Sequence, residues 1–185
     1  MRRSNLVYLL LYASGIYGLV LWPPLRDAAT WLAEPLRRAI ADDVARVPLV
    51  ARCLVAFVAV DALAYWMHRA AHANALLWRL HRVHHGDPEL GVLTTFRFHF
   101  GEIAWRMLLQ FLPLHLLGIA ASIPGWTIAA LLVFNVLAHS GRDWRFGILG
   151  QAVVSPAYHR THHRGDDANY GMYLTVWDAI FGTRR

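Results

Sequence analysis

Two stretches of the chain carry the same pattern, His-Arg-X-His-His: "HRVHH" ends at His85 and "HRTHH" ends at His163. Imidazole is the commonest side-chain ligand for transition metals. On a helix, positions i, i+3 and i+4 are neighbours, so each phrase presents three rings together. "HRAAH" adds an i, i+4 pair, His68 and His72, and His139 stands alone in "LAHS". Nine of the 11 histidines thus fall in four sets: His68 and His72; His81, His84 and His85; His139; His159, His162 and His163. A lone histidine reads as a hydrogen-bonded core residue. Nine of them at the ends of apolar segments would repel one another when charged and resist burial. A metal resolves the conflict, because each neutral imidazole supplies a lone pair.

A structural zinc is satisfied by four ligands, so nine suit two ions with open positions. Imidazole serves zinc, copper, iron and nickel alike, and ligand type alone does not choose among them. Cys53 is the single cysteine and lies in an apolar run, where it reads as a small buried core residue. Fe–S clusters and thiolate zinc are therefore disfavoured, and the Glu-x-x-His motifs of soluble di-iron bundles are missing. His115 in "LPLHLLG" reads as a polar helix–helix contact, and His99 in "FRFHFGE", beside Glu102, as a partner of the ligands.

The elements that must position these rings follow from composition. A chain of 185 residues is one domain. It is 57% apolar and only 16% charged, which points to a membrane protein. The net charge is +6 and all 18 basic residues are arginine, yet no polar basic stripe with interleaved aromatics favours nucleic acid. The run Asn5 to Trp22 has basic residues before it and Pro23-Pro24 after it. It reads as a first membrane crossing; it is long for a signal-peptide core and its cleavage signature is poor. Pro24 to Pro48 reads as an amphipathic helix on the bilayer surface, broken at Pro35. Leu49 to Met67 is a second crossing and holds Asp61, a carboxylate whose place among apolar residues needs a reason. Ile103 to Ser140 reads as two short helices turning at "SIPG", Ser122 to Gly125.

The expected fold is all-α: an integral membrane bundle of about four transmembrane helices with a histidine-rich cap. The expected organisation is a single membrane domain, with 1–48 as N-terminal helix and connector and 49–185 as the catalytic region. With that topology twelve arginines share one side with every histidine set and four lie opposite. The positive-inside rule then makes the arrangement multi-pass with its metal site facing the cytoplasm.

The strings "DALAYWMHRAAH", "LLWRLHRVHHG", "TTFRFH", "LAHS", "SPAYHRTHH" and "NYGMYLTVWDAIFGT" together resemble the fatty acid hydroxylase superfamily, also called the sterol desaturase family. The resemblance covers Asp61 to Thr183, with the motifs in order. It implies a membrane-bound non-haem di-iron oxygenase whose metal ligands fall on the nine histidines. It also implies two iron ions, O2 as co-substrate, an external electron donor and a lipid substrate drawn from the bilayer. The product is a hydroxylated or desaturated sterol, fatty acyl chain or related lipid. A carotenoid or alkyl-ether hydroxylase of the same chemistry is the alternative, and a non-catalytic membrane metal-binding protein is the alternative of another class. No electron-transfer domain is fused to the chain, so the donor is expected to be a separate protein or reductase. Two positions depart from the family pattern: Gly86, where Ser is frequent, and Phe100, where Pro is frequent. Asp61, His99, Asn169 and Asp178 are candidates to orient the imidazoles through their free N–H groups. Trp78, Tyr158 and Trp177 read as packing residues.

Overall fold

The computed structural model describes residues 3–87, 89–119, 125–165 and 167–185. Helix α1 (Arg3–Ala13) stops at a short turn, where Gly15 takes a φ of 71°. Glycine enters this left-handed region without a Cβ clash, so the chain reorients there. Helix α2 (Ile16–Arg46) then runs unbroken through Pro23, Pro24 and Pro35. The sequence predicts breaks at those prolines; the break falls at Gly15 instead. A proline costs a helix one hydrogen bond and some steric strain, but helices in proteins are held chiefly by tertiary packing. Along α5 (Phe100–Leu116), α2 sets Tyr17 against Phe100 at 6.0 Å and Trp22 edge-on to Phe111 at 4.1 Å. Lower on the same seam His115 Nε2 lies 3.9 Å from Glu34 Oε2, a helix–helix contact as its position suggested. Glu34 is also bound by Arg37 and Arg38, whose hydrogen bonds hold its carboxyl down to about 2.

Helix α3 (Leu49–Ala73) carries His68 and His72 near its C-terminal end. Asn74 closes it and starts α4 (Ala75–His85), its side-chain oxygen accepting from the backbone N–H groups of Leu76 and Leu77 at 2.9 and 3.1 Å. This one-residue corner folds α4 back beside α3. A 3-10 turn at Val92–Phe96 leads to α5, and α6 (Gly125–Ala138) delivers His139 just past its end. After a second 3-10 turn at Gly147–Gln151 comes α7 (Pro156–His163), with Ser155 as N-cap and Pro156 in its first turn. Val153 and Leu174 form one isolated antiparallel bridge, and α8 (Val176–Ile180) ends the fold.

The four-crossing bundle is not what forms, and with it the multi-pass arrangement fails. Among the described residues only α3 is long and apolar enough to cross a membrane. At about 1.5 Å per residue, the 11 residues of α1 and the 14 of α6 fall well short of a hydrocarbon core of roughly 30 Å. Helix α2 is long, but Arg26, Asp27, Glu34, Arg37 and Arg38 interrupt its apolar stripe. Helix α5 has 17 residues and holds Glu102 and Arg106. Without four crossings the arginine count no longer assigns the histidine sets to a side. Residues 122–124 of the expected "SIPG" turn lie outside the described residues. Cys53 is exposed, not buried, on the face of α3 that also presents Val50 and Leu54.

The deepest part of the molecule is polar. His81, His139, His162, Glu102, Asp61 and Asp178 are each at most 2% exposed. The helices therefore close around the histidines rather than around an aliphatic core.

Candidate metal centre

The nine histidines converge on two groups: His68, His72, His81, His85 and His162 in one, and His84, His139, His159 and His163 in the other. Within each group one ring nitrogen per residue lies within 4.8 Å of the rest. Each five-residue phrase is shared between the groups. In α4 the i, i+4 pair His81 and His85 faces the five-histidine group and His84 faces the four-histidine group. In α7 the assignment reverses: His159 and His163 join the four, and His162 joins the five. The groups adjoin, with the His85 and His163 rings stacked at 4.3 Å. Both phrases thus contribute to both groups.

Hydrogen bonds outside the rings set which nitrogen carries the lone pair. Nδ1 of His68 meets the Tyr170 carbonyl at 2.9 Å, Nδ1 of His162 the Ala168 carbonyl at 2.8 Å, and Nδ1 of His139 the Asn135 carbonyl at 2.8 Å. A carbonyl only accepts, so each Nδ1 must carry hydrogen, and each neutral ring turns the Nε2 lone pair inward. Those Nε2 atoms crowd together: His139 is 3.1 Å from His84 and 2.9 Å from His159, and His162 is 3.1 Å from His85. Nε2 of His72 and of His81 is buried without a hydrogen-bond partner. Converging, buried lone pairs are a fit for cations. Burial pushes the rings of His84, His159 and His163 well below the usual imidazole range, His139 down to about 4 and His162 down to about 3. Neighbouring imidazoles add to the effect at His84, His159 and His163. All of these rings are therefore neutral at pH 7, the form that binds metal.

Of the four candidates for orienting the imidazoles, none hydrogen-bonds to a clustered histidine. Asp61 accepts from the backbone N–H groups of Tyr173 and Leu174 at 3.1 and 3.3 Å and from Trp177 Nε1 at 2.8 Å. Asp178 accepts from the backbone of Tyr170 at 2.8 Å and Gly171 at 2.7 Å, and from Tyr158 Oη at 2.9 Å. Asn169, at a φ of 58°, exchanges hydrogen bonds with the backbone of Arg185 at 2.8 and 3.2 Å. These three instead fix the irregular segment that supplies the Ala168 and Tyr170 carbonyls, so they act on His162 and His68 through the backbone. Gly171 belongs to the same device, because a Cβ there would stand 2.5 Å from the Leu174 carbonyl oxygen. His99 is exposed, and its Nδ1 caps α5 by accepting from Gly101 N–H at 3.0 Å. Trp177 and Tyr158 belong to the clamp. Trp78 packs on the site itself, its ring 5.0 Å from His72 and 5.5 Å from His85.

Glu102 was passed over in the sequence in favour of its neighbour His99. Its Oε1 lies 2.8 Å from His81 Nδ1 and 3.2 Å from Arg106 Nη1, and the residue is 1% exposed. Burial pushes its carboxyl up, but the His81 hydrogen bond and the Arg106 charge outweigh that, and the group stays below the usual range. A carboxylate in the first turn of an apolar helix, followed four residues later by arginine, is the signal that could have found it. At the departing position Gly86, an added Cβ would lie 3.1 Å from Arg97 Nη2, so the guanidinium occupies the space of a side chain.

Residues 53–183 match the fatty acid hydroxylase family. Over 140 residues the chain is 34% identical to the ornithine lipid hydroxylase OlsE of Rhizobium tropici, covering 74% of this chain and 42% of that protein. It is 33% identical over 136 residues to the alkylglycerol monooxygenase of Homo sapiens, covering 69% of this chain and 29% of that one. Lathosterol oxidase of Mus musculus is 31% identical over 139 residues, 66% of this chain and 41% of its own. The chain spans less than half the length of these relatives. No solved structure matches it. All nine clustered histidines lie inside the matched region, and the chain belongs to the fatty acid hydroxylase family.

Proposed function

We propose that the chain is an O2-dependent lipid hydroxylase or desaturase whose two histidine groups each hold an iron ion. The observation that carries this reading is the pair of groups itself, five and four imidazoles with one ring nitrogen of each within 4.8 Å of the others and no thiolate among them. All nine histidines serve as ligands. Bound there, a di-iron centre supplies the reduction of O2 and the oxidation of an unactivated C–H bond. In hydroxylation one oxygen atom of O2 would enter the substrate and the other would leave as water; in desaturation both would leave as water with the two hydrogens removed. Either reaction would draw two electrons and two protons, the electrons from an external reductase or small redox protein.

The chain's own residues hold and dry the site. The Tyr170, Ala168 and Asn135 carbonyls keep His68, His162 and His139 in the metal-binding tautomer. Phe98 lies flat on His84 at 4.7 Å and Trp78 covers His72 and His85, which limits water beside the reacting atoms. The substrate is a lipid, a class supported by the relatives named for ornithine lipid, alkylglycerol and lathosterol. The exposed apolar face at the N-terminal end of α3, with Val50, Leu54 and Val55, offers contact with a bilayer at the opposite end of the helix from His68 and His72.

Anaerobic purification followed by metal analysis tests the reading. About two irons per chain, and O2 uptake that depends on added lipid and a reductant, are expected for such a centre. A single zinc with no O2 uptake would sink it.

A further inference from the structure

Glu102 has a place that the metal reading leaves unassigned. Of the nine clustered histidines, His81 is the one whose outer nitrogen meets a carboxylate among the described residues. The others with an outer partner use backbone carbonyls. Three features fix the Glu102 side chain. It stands at the third position of α5, where the N-terminal helix dipole favours an anion. Arg106, one turn on, holds Oε1 from the other side at 3.2 Å. Burial leaves the carboxylate no solvent to turn toward, and its Oε2 has no hydrogen-bond partner. Arg106 is itself held in place, with its guanidinium 5.1 Å from the Phe98 ring centroid. The same Phe98 ring stacks on His84 of the other group.

A carboxylate behind a ligating imidazole does two things. It fixes the tautomer and the ring orientation, and it makes the inward nitrogen a better donor. A carbonyl does the first and does little of the second, because it bears no net charge. We propose that Glu102 is a positioning residue that makes the five-histidine group the tighter of the two cation sites, by holding His81 and lending it negative charge. The four-histidine group has no such residue behind its rings among the described residues, so the two cations bind in sequence and not together. This rests on the reading that both groups hold metal.

The test is a stepwise titration of the full-length, metal-stripped protein with cobalt(II), read by ligand-field absorption and by bound metal per chain. The unmodified protein should fill in two resolved steps. Glu102→Ala should weaken the first step by about 10- to 100-fold, the usual cost of losing such an outer partner, and leave the second unchanged. Glu102→Gln keeps an acceptor oxygen but not the charge, and should recover part of the lost affinity. A Glu102→Ala protein that fills both sites with unmodified constants overturns the proposal. If Glu102→Ala loses helix content by circular dichroism, Glu102→Gln decides alone: a severalfold weaker first step supports the role, and unmodified binding at both steps overturns it. Failure of the unmodified protein to bind metal is a different outcome, which refutes the metal reading and Glu102 with it.

Discussion

The five-histidine and four-histidine groups both draw on the same two short helices, α4 and α7, yet are braced differently. Behind the five stand the Tyr170 and Ala168 carbonyls and the Glu102 carboxylate, which hold His68, His162 and His81. Behind the four stands the Asn135 carbonyl on His139, while Nδ1 of His84 and of His163 is buried with no hydrogen-bond partner. Outer hydrogen bonds keep a ring in one tautomer and one orientation. The five-histidine group is thus the pre-organised site, and the four-histidine group has rings that depend on stacking, as His84 does on Phe98. The difference arises because α3, α5 and the segment after α7 all converge on the first group. Among the described residues, His139 at the end of α6 is the only histidine that the second group draws from outside α4 and α7.

Removing one ring from each group should give the largest effect and separate them. His162→Ala should cost the five-histidine ion and His159→Ala the four-histidine ion, each lowering lipid-dependent O2 uptake by at least about 100-fold, beyond the range typical of outer partners. Metal analysis should find one ion per chain in each variant. Loss of both ions from either variant would show that the groups behave as one site, and the comparison would break.

Asp178 tests the bracing from a distance. It is wholly buried and collects four donors, from the Tyr170 and Gly171 backbone, Tyr158 and Thr183. Asp178→Ala leaves those donors without their acceptor, at about 1–3 kcal/mol for each that stays dry. Thermal unfolding should fall sharply, and surviving folded protein should lose affinity at the five-histidine site, whose carbonyls hang on this clamp, more than at the four. An equal loss at both sites would show that the clamp supports the fold without favouring either group.

Acid should reveal what the buried rings cost. Burial holds His139 down to about 4 and His162 down to about 3, against an ordinary value of 6.5. The unfolded chain therefore binds more protons than the folded one below that ordinary value. Stability from these groups is fully present above about 6.5 and is lost as pH falls toward the folded values. In chelator, the unfolding midpoint should be flat from pH 8 to 7 and drop between about 6.5 and about 4. A midpoint that stays constant across that window would mean the rings are not buried as neutral groups.

These contrasts were only partly legible in the sequence. The nine histidines announce themselves, because i, i+3 and i+4 spacing is a local property of a helix. Their division into five and four is not local: it depends on how α4 and α7 face each other, which reverses the pairing between two phrases of the same pattern. Asp61 misled for a geometric reason. Seven residues separate it from His68, and at about 1.5 Å per residue that is roughly 10 Å along the helix axis, beyond hydrogen-bond reach. Its real partners, Tyr173, Leu174 and Trp177, lie more than a hundred positions away in the chain. The count of membrane crossings failed because apolar content says little about where a helix stops. Gly15 cuts the first run, and charges in α2 and α5 interrupt the others. Glu102 is hard to read in the sequence because His99, three residues earlier, offers the more familiar ligand chemistry.

His99 gives the smallest expected effect and decides between those two neighbours. Its Nδ1 accepts from Gly101 N–H at 3.0 Å at the start of α5, and it faces solvent instead of the histidine groups. Replacing a helix N-cap by alanine costs about 1 kcal/mol. His99→Ala should therefore lower the unfolding midpoint slightly, and His99→Asn, which restores a capping oxygen, should recover it. Neither should change bound metal or lipid-dependent O2 uptake, because the cap orients the helix end and the carboxylate of Glu102 does the contacting. If His99→Ala lost a metal ion at unchanged stability, the ring would be serving the centre directly, and the division of labour between His99 and Glu102 would have to be reversed.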